Sequence, residues 1–243
     1  MMKMTTKTIQ ACMMTMFLML GSLGLSFAQD AAENAGEALG GNGKQIFSVT
    51  VLGDWKGDKL FVKQDTEYKE LSVYDLSITG PLKYQRKEGV VLYQQEKVDG
   101  EFGYKPVRVV KIPPGIKHPL LLFMFNGKEW GVRIYELDDS NFPGGAYCFV
   151  NLCKVPILAK LNDKGQILKP GKEVLVKRGV TENERVMISA SVEGKGGKVE
   201  TLFSTMSINR PQKRMIMFFA PTEKNGMKTI GCRSLVTYVS KDE

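Results

Sequence analysis

The chain has 243 residues, and its 34 Lys and Arg outnumber 26 Asp and Glu to give a formal net charge of +8. This length is enough to bury the core of one or two domains. The scattered basic excess favours contact with anionic polymers without specifying one, and it indicates no specific nucleic-acid binding because no long run of like charges occurs. The single histidine, His118, excludes a histidine-rich metal site, and we expect neither a metal nor a cofactor.

Residues 1–28 have the three parts of a cleavable secretory signal. Lys3 and Lys7 form a positive start, 11–25 is an uncharged apolar run, and Ser26-Phe27-Ala28 places small residues at a cleavage site. The apolar run is shorter than the roughly 20 residues of a spanning helix, and no later run is longer than a strand. We therefore expect cleavage near Ala28, a periplasmic or extracellular location, and no transmembrane segment in the mature chain. An uncleaved anchor is the alternative.

Residues 29–44 are rich in Ala, Gly and acids and predict a flexible leader. Short β-branched or alternating segments follow, separated by turn signals. Before the middle of the chain they are 46–51, 59–62, 71–79, 90–93, 107–112, 120–125 and 130–137. Asn126-Gly127 between the last two predicts a tight hairpin, because both residues accept positive φ angles.

The densest turn-forming break is 138–145, Asp-Asp-Ser-Asn-Phe-Pro-Gly-Gly. Further strands are predicted at 146–152, 155–161, 174–176, 185–192, 199–208, 215–219 and 227–239. A Gly-rich loop is predicted at 194–197. Segment 215–219 is apolar on both faces and predicts a central strand.

This pattern predicts an all-β fold of the immunoglobulin-like β-sandwich type. We predict two packed sandwich domains, 45–137 and 138–243, each of about 100 residues, the usual size of such domains. One large sandwich is the alternative, and no internal sequence repeat marks a duplication.

Three cysteines follow the signal, Cys148, Cys153 and Cys232. An oxidising compartment permits a disulfide among them, although an odd number leaves at least one thiol over. Cys148 and Cys153 would face opposite sides of a continuous strand, so pairing them requires a bend, and either could instead meet Cys232. Three small buried hydrophobic side chains are the alternative.

No catalytic constellation emerges from the remaining polar residues. A triad would have to use His118, which has no nucleophile motif near it. Paired carboxylates for glycoside chemistry could come from turn acids, namely Asp54, Asp58, Glu136, Asp138 and Asp139. Glu136, Asp138 and Asp139 with Asn141 could also offer oxygens to calcium, but without EF-hand spacing. Turn Asp residues support the backbone by themselves, so we predict a protein that is not an enzyme.

Two aromatic residues are the candidates for ligand binding. Trp55 lies in a Gly-Asp-Trp-Lys-Gly turn, an unusual place for a core residue, and Tyr68 follows it. Exposed rings on a β-sandwich can stack on sugars or bases. For Trp55 the alternative is a loop side chain folded back over the core, because Trp is highly buried on average.

Three short motifs stand in the second half of the chain: Phe142-Pro143-Gly144-Gly145, Asn151-Leu152 and Leu168-Lys169-Pro170-Gly171. They resemble motifs of a group of uncharacterised exported β-sandwich proteins of bacteria. In that group an FP-x-G … N-L-S stretch precedes an L-x-P-G turn, and Cys153 departs from its usual Ser. The resemblance covers about half of the chain. It implies export, a β-sandwich, and a structural role for the Pro143-Gly144 and Pro170-Gly171 turns. No activity or cofactor is established for the group, so the resemblance implies none.

We therefore expect an exported, non-enzymatic β-sandwich protein with a binding or structural role in the cell envelope or periplasm. Its partner would be an envelope glycan or another envelope protein. The alternative is a polysaccharide-binding or carbohydrate-active protein that uses Trp55 and turn carboxylates. A third hypothesis is electrostatic attachment to an anionic polymer.

Overall fold

The computed structural model describes residues 44–98, 100–125, 129–224 and 226–239. The predicted signal, 1–28, lies outside these residues, as do the predicted leader apart from its last residue and the turn at 126–128. Within the described ranges, no helix is long and apolar enough to cross a membrane. The helical element found there is a 3₁₀ turn, Lys195–Gly197, in the loop predicted at 194–197.

Sixteen strands are present in the described part of the chain, eight in each half. The first eight are β1 (Lys44–Leu52), β2 (Phe61–Gln64), β3 (Glu67–Glu70), β4 (Thr79–Gln85), β5 (Val90–Val98), β6 (Glu101–Val110), β7 (Pro119–Phe125) and β8 (Trp130–Glu136). The second eight are β9 (Tyr147–Asn151), β10 (Ile157–Leu161), β11 (Lys164–Leu168), β12 (Glu173–Val176), β13 (Glu184–Glu193), β14 (Val199–Asn209), β15 (Lys213–Lys224) and β16 (Met227–Tyr238).

These strands form four four-stranded sheets. Sheet 1 has the order β3-β2-β5-β6 and sheet 2 the order β4-β1-β7-β8. Sheet 3 has the order β12-β9-β15-β16 and sheet 4 the order β11-β10-β13-β14. The second half thus repeats the topology of the first, strand for strand. Even the parallel pairs correspond, since β1 pairs with β7 as β9 pairs with β15. The sequence shows no repeat, so this duplication is visible only in the fold.

Three clusters of buried side chains place the sheets in four layers, in the order 1, 2, 3, 4. Phe47 and Leu92 belong to the cluster between sheets 1 and 2. Phe149 belongs to the cluster between sheets 3 and 4. Leu122 and Phe218 belong to a third cluster, between sheets 2 and 3. The inner sheets therefore bury both faces and the outer sheets only one.

The sequence of β7 explains this arrangement. Leu121 and Phe123 belong to the cluster facing sheet 1, whereas Leu120 and Leu122 belong to the cluster facing sheet 3. Successive side chains of a strand point to opposite faces, so an uninterrupted apolar run fits a strand covered on both sides. The same reasoning applies to β15, and the prediction of a central strand at 215–219 is confirmed.

The structure confirms the all-β prediction and the packing of sheets in sandwich-like pairs. The strand predicted at 71–79 is wrong. Leu76 there has a φ of 49°, and its N–H donates to the carbonyl of Val51 at 2.8 Å. This backbone turns beside the end of β1, and regular pairing begins only at Thr79. The domain boundary at Asp138 stays a prediction.

Candidate ligand-binding face

Four aromatic side chains lie together on the outer face of sheet 1, and we call them the tyrosine face: Phe61, Tyr68, Tyr93 and Tyr104. Strand alternation places them there. Val62 and Leu92 point into the core, so their strand neighbours Phe61 and Tyr93 point outward. The ladders then bring the rings together, because Phe61 pairs with Tyr93 across β2 and β5.

The rings of the tyrosine face are in direct contact. Tyr68 and Tyr104 are stacked, with ring centroids 4.1 Å apart and planes 8° apart. Tyr93 meets Tyr68 edge to face at 5.0 Å, and Phe61 meets Tyr104 in the same way at 5.0 Å. Phe61 is buried beneath the tyrosines, which are themselves half-buried. The result is a pre-formed apolar surface with phenolic hydroxyls, which loses little side-chain entropy when a ligand binds.

Polar groups border the tyrosine face on the side of Lys63. The Lys63 ammonium lies 6.0 Å from the Tyr68 ring centroid, within cation–π range. Lys63 and Tyr93 also line a cleft of about 210 Å³. Lys83 and Asp65, whose ammonium and carboxylate are 3.8 Å apart, lie in the same cleft. Flat rings therefore adjoin hydrogen-bonding groups of both charges.

The surroundings of Tyr93 keep its phenol neutral near neutral pH. Burial raises the pKa of Tyr93 above its ordinary value, and the neighbouring Tyr68 and Glu88 raise it further. A neutral phenol can donate as well as accept a hydrogen bond. The cleft is smaller than the roughly 300–1,000 Å³ of typical small-molecule sites, so the geometry suits a ligand that lies across the open face.

Trp55 lies elsewhere in the same half of the chain. Its ring packs on Phe123 and Trp130, with centroids 5.5 and 5.8 Å away, and its Nε1–H donates to the carbonyl of Asp58 at 3.1 Å. Gly57 lies so close to the ring that a Cβ there would be 2.5 Å from it. Trp55 is thus half-buried beside the core. Its ring contacts Phe123 and Trp130, whereas the ring of Tyr68 contacts Tyr93 and Tyr104, so the two predicted residues do not form one site. Ligand binding by either residue stays a prediction.

Comparison with known proteins adds no family to this description. No protein-family model and no curated protein matches the chain.

A second polar centre lies where the chain crosses from β8 to β9. The Glu136 carboxylate accepts hydrogen bonds from the backbone N–H groups of Asp138, Lys117 and His118, at 2.8, 2.9 and 3.0 Å, and from Asn141 Nδ2 at 3.2 Å. Burial by itself would raise the pKa of Glu136, but these four donors together lower it. With its oxygens occupied, this carboxylate organises the crossing loop.

His118 contacts a serine that the sequence did not point to. Its Nε2 lies 3.0 Å from Ser48 Oγ, and Ser48 is only 2% exposed. Burial lowers the pKa of His118, although Glu136 nearby opposes this shift. Glu136 accepts a hydrogen bond from the backbone N–H of His118. Neither His118 nor Ser48 lines the cleft beside the tyrosine face. This arrangement fits a part-buried structural hydrogen bond between β1 and the residue that precedes β7. No motif could have predicted it, because the two residues are 70 positions apart.

Arg214 on β15 is the most buried cation of this region, at 6% exposure. Its guanidinium donates to Thr237 Oγ1, Asp139 Oδ1 and the carbonyl of Phe142, at 2.7, 2.8 and 2.7 Å. Burial lowers the pKa of Arg214, but Asp139 and the other nearby acids oppose the shift. The predicted turn acid Asp139 therefore serves to anchor the crossing loop to sheet 3.

The other predicted turn acids have similar roles. Asp58 Oδ2 accepts from Gln94 Nε2 at 3.1 Å, and Asp138 Oδ1 accepts from Ser140, whose hydrogen bond, with that from Lys117, lowers the Asp138 pKa. Asp54 is exposed. In the described residues no group of three His, Cys, Asp or Glu side chains is arranged to hold a metal ion.

Cys148, Cys153 and Cys232 are free thiols in the structure. Burial raises the pKa of Cys148 and of Cys232 to about 12, and it also raises that of Cys153. Cys153 Sγ lies 3.5 Å from the carbonyl of Phe219, the residue paired with Cys232. Because β15 separates β9 from β16, Cys148 and Cys232 lie on strands that are not adjacent.

Proposed function

We propose that this chain is an exported, non-enzymatic binding protein that holds a glycan on the tyrosine face. The observation that carries the proposal is the group of touching rings on the outer face of sheet 1, beside the cleft that contains Lys63 and Lys83. The secretory pattern of 1–28 and the resemblance to exported bacterial β-sandwich proteins support the export part. The immunoglobulin-like type of the sandwiches belongs to the same proposal and is supported by their size and antiparallel hairpins.

The chemistry of a sugar ring matches this surface. A pyranose has an apolar C–H face, which packs on an aromatic ring, and a rim of hydroxyl groups, which need donors and acceptors. Tyrosine provides both an apolar ring and a polar tip. The cleft adds two ammonium groups, of Lys63 and Lys83, and two carboxylates, of Asp65 and Glu88, next to Tyr93. A purely anionic polymer is a poorer fit, since Lys83 is paired with Asp65 at 3.8 Å.

The test is a binding series with soluble cell-wall and plant glycans, followed by calorimetry or affinity electrophoresis. Tyr104→Ala and Tyr68→Ala should each weaken binding by about 1 kcal/mol, roughly five-fold, because each removes one face of the stack. Tyr238→Ala is the matched control, since Tyr238 is exposed on sheet 3, and it should bind as the unmodified chain does.

Trp55→Phe separates the tyrosine face from the alternative site at Trp55. It preserves an aromatic contact with Phe123 and should leave glycan affinity unchanged. If the unmodified chain binds no glycan in the series, the proposed function is wrong. If binding is lost in Trp55→Phe and kept in Tyr104→Ala, the ligand is at Trp55 instead.

A structural role in the envelope is the second candidate. It is favoured by polar contacts that tie the two halves together across the middle of the molecule. Arg233 pairs with Asp75, and Arg133 Nη1 donates to the carbonyl of Gly171 at 3.3 Å. With the apolar cluster between sheets 2 and 3, these contacts make a stiff four-layer unit suited to spacing or presenting a ligand-binding face.

A further inference from the structure

The edge strand β14 lacks the lysine, arginine and proline residues that usually block a sheet edge, although its ladder with β13 has one irregularity, between Ala190 and Ser191. It runs for 11 residues, Val-Glu-Thr-Leu-Phe-Ser-Thr-Met-Ser-Ile-Asn, and pairs only with β13 among the described strands. Its sole charged residue is Glu200, and it contains no Lys, Arg or Pro. An unpaired row of N–H and C=O groups is a template for another strand, and natural edges are normally blocked by lysine, proline or shortness.

The other edges in the described sheets have such blocks. Strands β4 and β6 contain proline and lysine, and β3, β8, β11 and β16 each contain lysine or arginine. The remaining edge, β12, is only four residues long. β14 is therefore the one edge in these sheets that is long and almost uncharged, so a protein that avoids indiscriminate aggregation needs a specific partner for it.

Side chains next to this edge are apolar and exposed. Met206 and Ile208 on β14 are 59% and 53% exposed, and Val199 at the start of the strand is 69% exposed. Met187, directly opposite Met206 on β13, continues the apolar surface inward. Apolar side chains in this number, beside an open edge, are typical of a surface that is covered by a protein partner.

The charges at the two ends of β14 complement each other. Lys213 Nζ donates to Ser207 Oγ at 2.9 Å and to the carbonyl of Ile208 at 3.0 Å, so an ammonium group sits at the far end of the strand. Burial and the nearby Arg210 lower the Lys213 pKa, and no ion pair links Lys213 to a carboxylate of the described residues. Glu200 lies at the opposite end of the strand.

We propose that two copies of this chain pair through β14, antiparallel, about a twofold axis near Ser204. In that register Glu200 of one copy lies opposite Ile208 of the other, beside the ammonium of Lys213. The symmetry forms this contact twice, as an isologous interface requires. The two copies of sheet 4 then form one continuous sheet. Glu200 of one copy does not lie opposite Glu200 of the other, so the two carboxylates do not repel each other. A second copy of the chain therefore supplies an open strand edge, an exposed apolar surface and the complementary charge.

This dimer is independent of glycan binding. Sheet 4 and sheet 1 are opposite outer layers of the molecule, so pairing through β14 leaves both tyrosine faces open and outward. A dimer would then present two ligand faces, which raises the avidity for a polymer with repeated sites.

The test is the mass of the purified chain in solution, measured by sedimentation or light scattering over a range of concentrations. We expect twice the mass of one chain. Ser204→Lys places two lysines opposite each other at the twofold axis and should give the single-chain mass. Ser72→Lys is the matched control, because Ser72 is exposed in the first half of the chain and away from β14, and it should stay dimeric. Circular dichroism checks that both variants are folded.

A charge exchange tests the register. Glu200→Lys should weaken the dimer by about five-fold, because two exposed ion pairs are lost together, and adding Lys213→Glu in the same chain should restore it. Hydrogen exchange should show β14 amides gaining protection as concentration rises. A single-chain mass at every concentration, a dimer that survives Ser204→Lys, a dimer lost in Ser72→Lys, or protection that appears at another edge would each overturn the proposal.

Discussion

Asn151 Nδ2 donates to the carbonyl of Leu168 at 2.9 Å, inside the fully buried end of β9. The same amide donates to the carbonyl of Val155 at 2.8 Å, and its Oδ1 accepts from the N–H of Cys153 at 2.8 Å. One side chain thus joins the Asn-Leu motif to the Leu-x-Pro-Gly turn. Two stretches that resembled exported bacterial proteins are one structural unit in this fold.

Replacing Asn151 by alanine should destabilise the protein by about 3 kcal/mol. The change removes three hydrogen bonds, two of them buried, and leaves two carbonyls without a donor. Each such loss costs about 1 kcal/mol or more. Chemical denaturation measures the free energy of unfolding. Asn141→Ala is the control, since Asn141 is exposed and donates one long bond, and it should cost under about 1 kcal/mol. Equal losses in the two variants would contradict this account of Asn151.

Arg214→Gln should destabilise the protein by about 2–3 kcal/mol, because it leaves the buried Thr237 hydroxyl and the carbonyl of Phe142 without their donor. The Asp139 carboxylate is half-exposed, so water can replace part of the hydrogen bonding that it loses with Arg214. Arg214→Lys should rescue little, because a single ammonium lacks the planar fork that reaches all three acceptors. The melting temperature reports both changes. Arg185→Ala, an exposed arginine on β13, should leave it unchanged.

Acid should weaken the crossing loop through Glu136. The hydrogen bonds to its carboxylate lower its pKa in the folded state below the ordinary value of 4.5. The unfolded state therefore takes up the proton first, and the stability from Glu136 is present above pH 4.5 and lost as pH falls through the folded pKa. Glu136→Gln should flatten this part of the curve of unfolding free energy against pH. If the unfolding free energy of Glu136→Gln falls below pH 4.5 as steeply as that of the unmodified chain, other groups cause the acid dependence and this prediction is wrong.

The three thiols should resist alkylation in the folded protein. Cys148 and Cys232 have pKa values raised to about 12, so the reactive thiolate is scarce at neutral pH. Mass spectrometry of the chain from residue 29 onward, after iodoacetamide treatment, should show little labelling without denaturant and three labels with it. If two cysteines stay unlabelled in denaturant and become labelled after reduction, they form the disulfide that the sequence left open.

The number of strands and their turns came largely from local signals in the sequence. The apolar run 215–219 predicted a central strand that is apolar on both faces, and β15 is such a strand. The run 120–125 predicted a strand, and β7 is that strand. The strand predicted at 71–79 was wrong because side-chain alternation does not report backbone dihedral angles, and Leu76 adopts a positive φ. The short strand β4 was missed because Pro81 in a sequence argues against a strand, yet β4 is an edge of sheet 2.

The sequence by itself determined the β class, the small number of turn-forming breaks and the residue types available for chemistry, because alternation and turn propensity are local properties. Tertiary structure decided which residues meet. The tyrosine face combines β2, β3, β5 and β6, the Ser48–His118 bond spans 70 positions, and the open edge of β14 depends on the strand order of sheet 4. Pairing between distant strands is set by how apolar faces bury one another across the whole chain, and no local pattern carries that information.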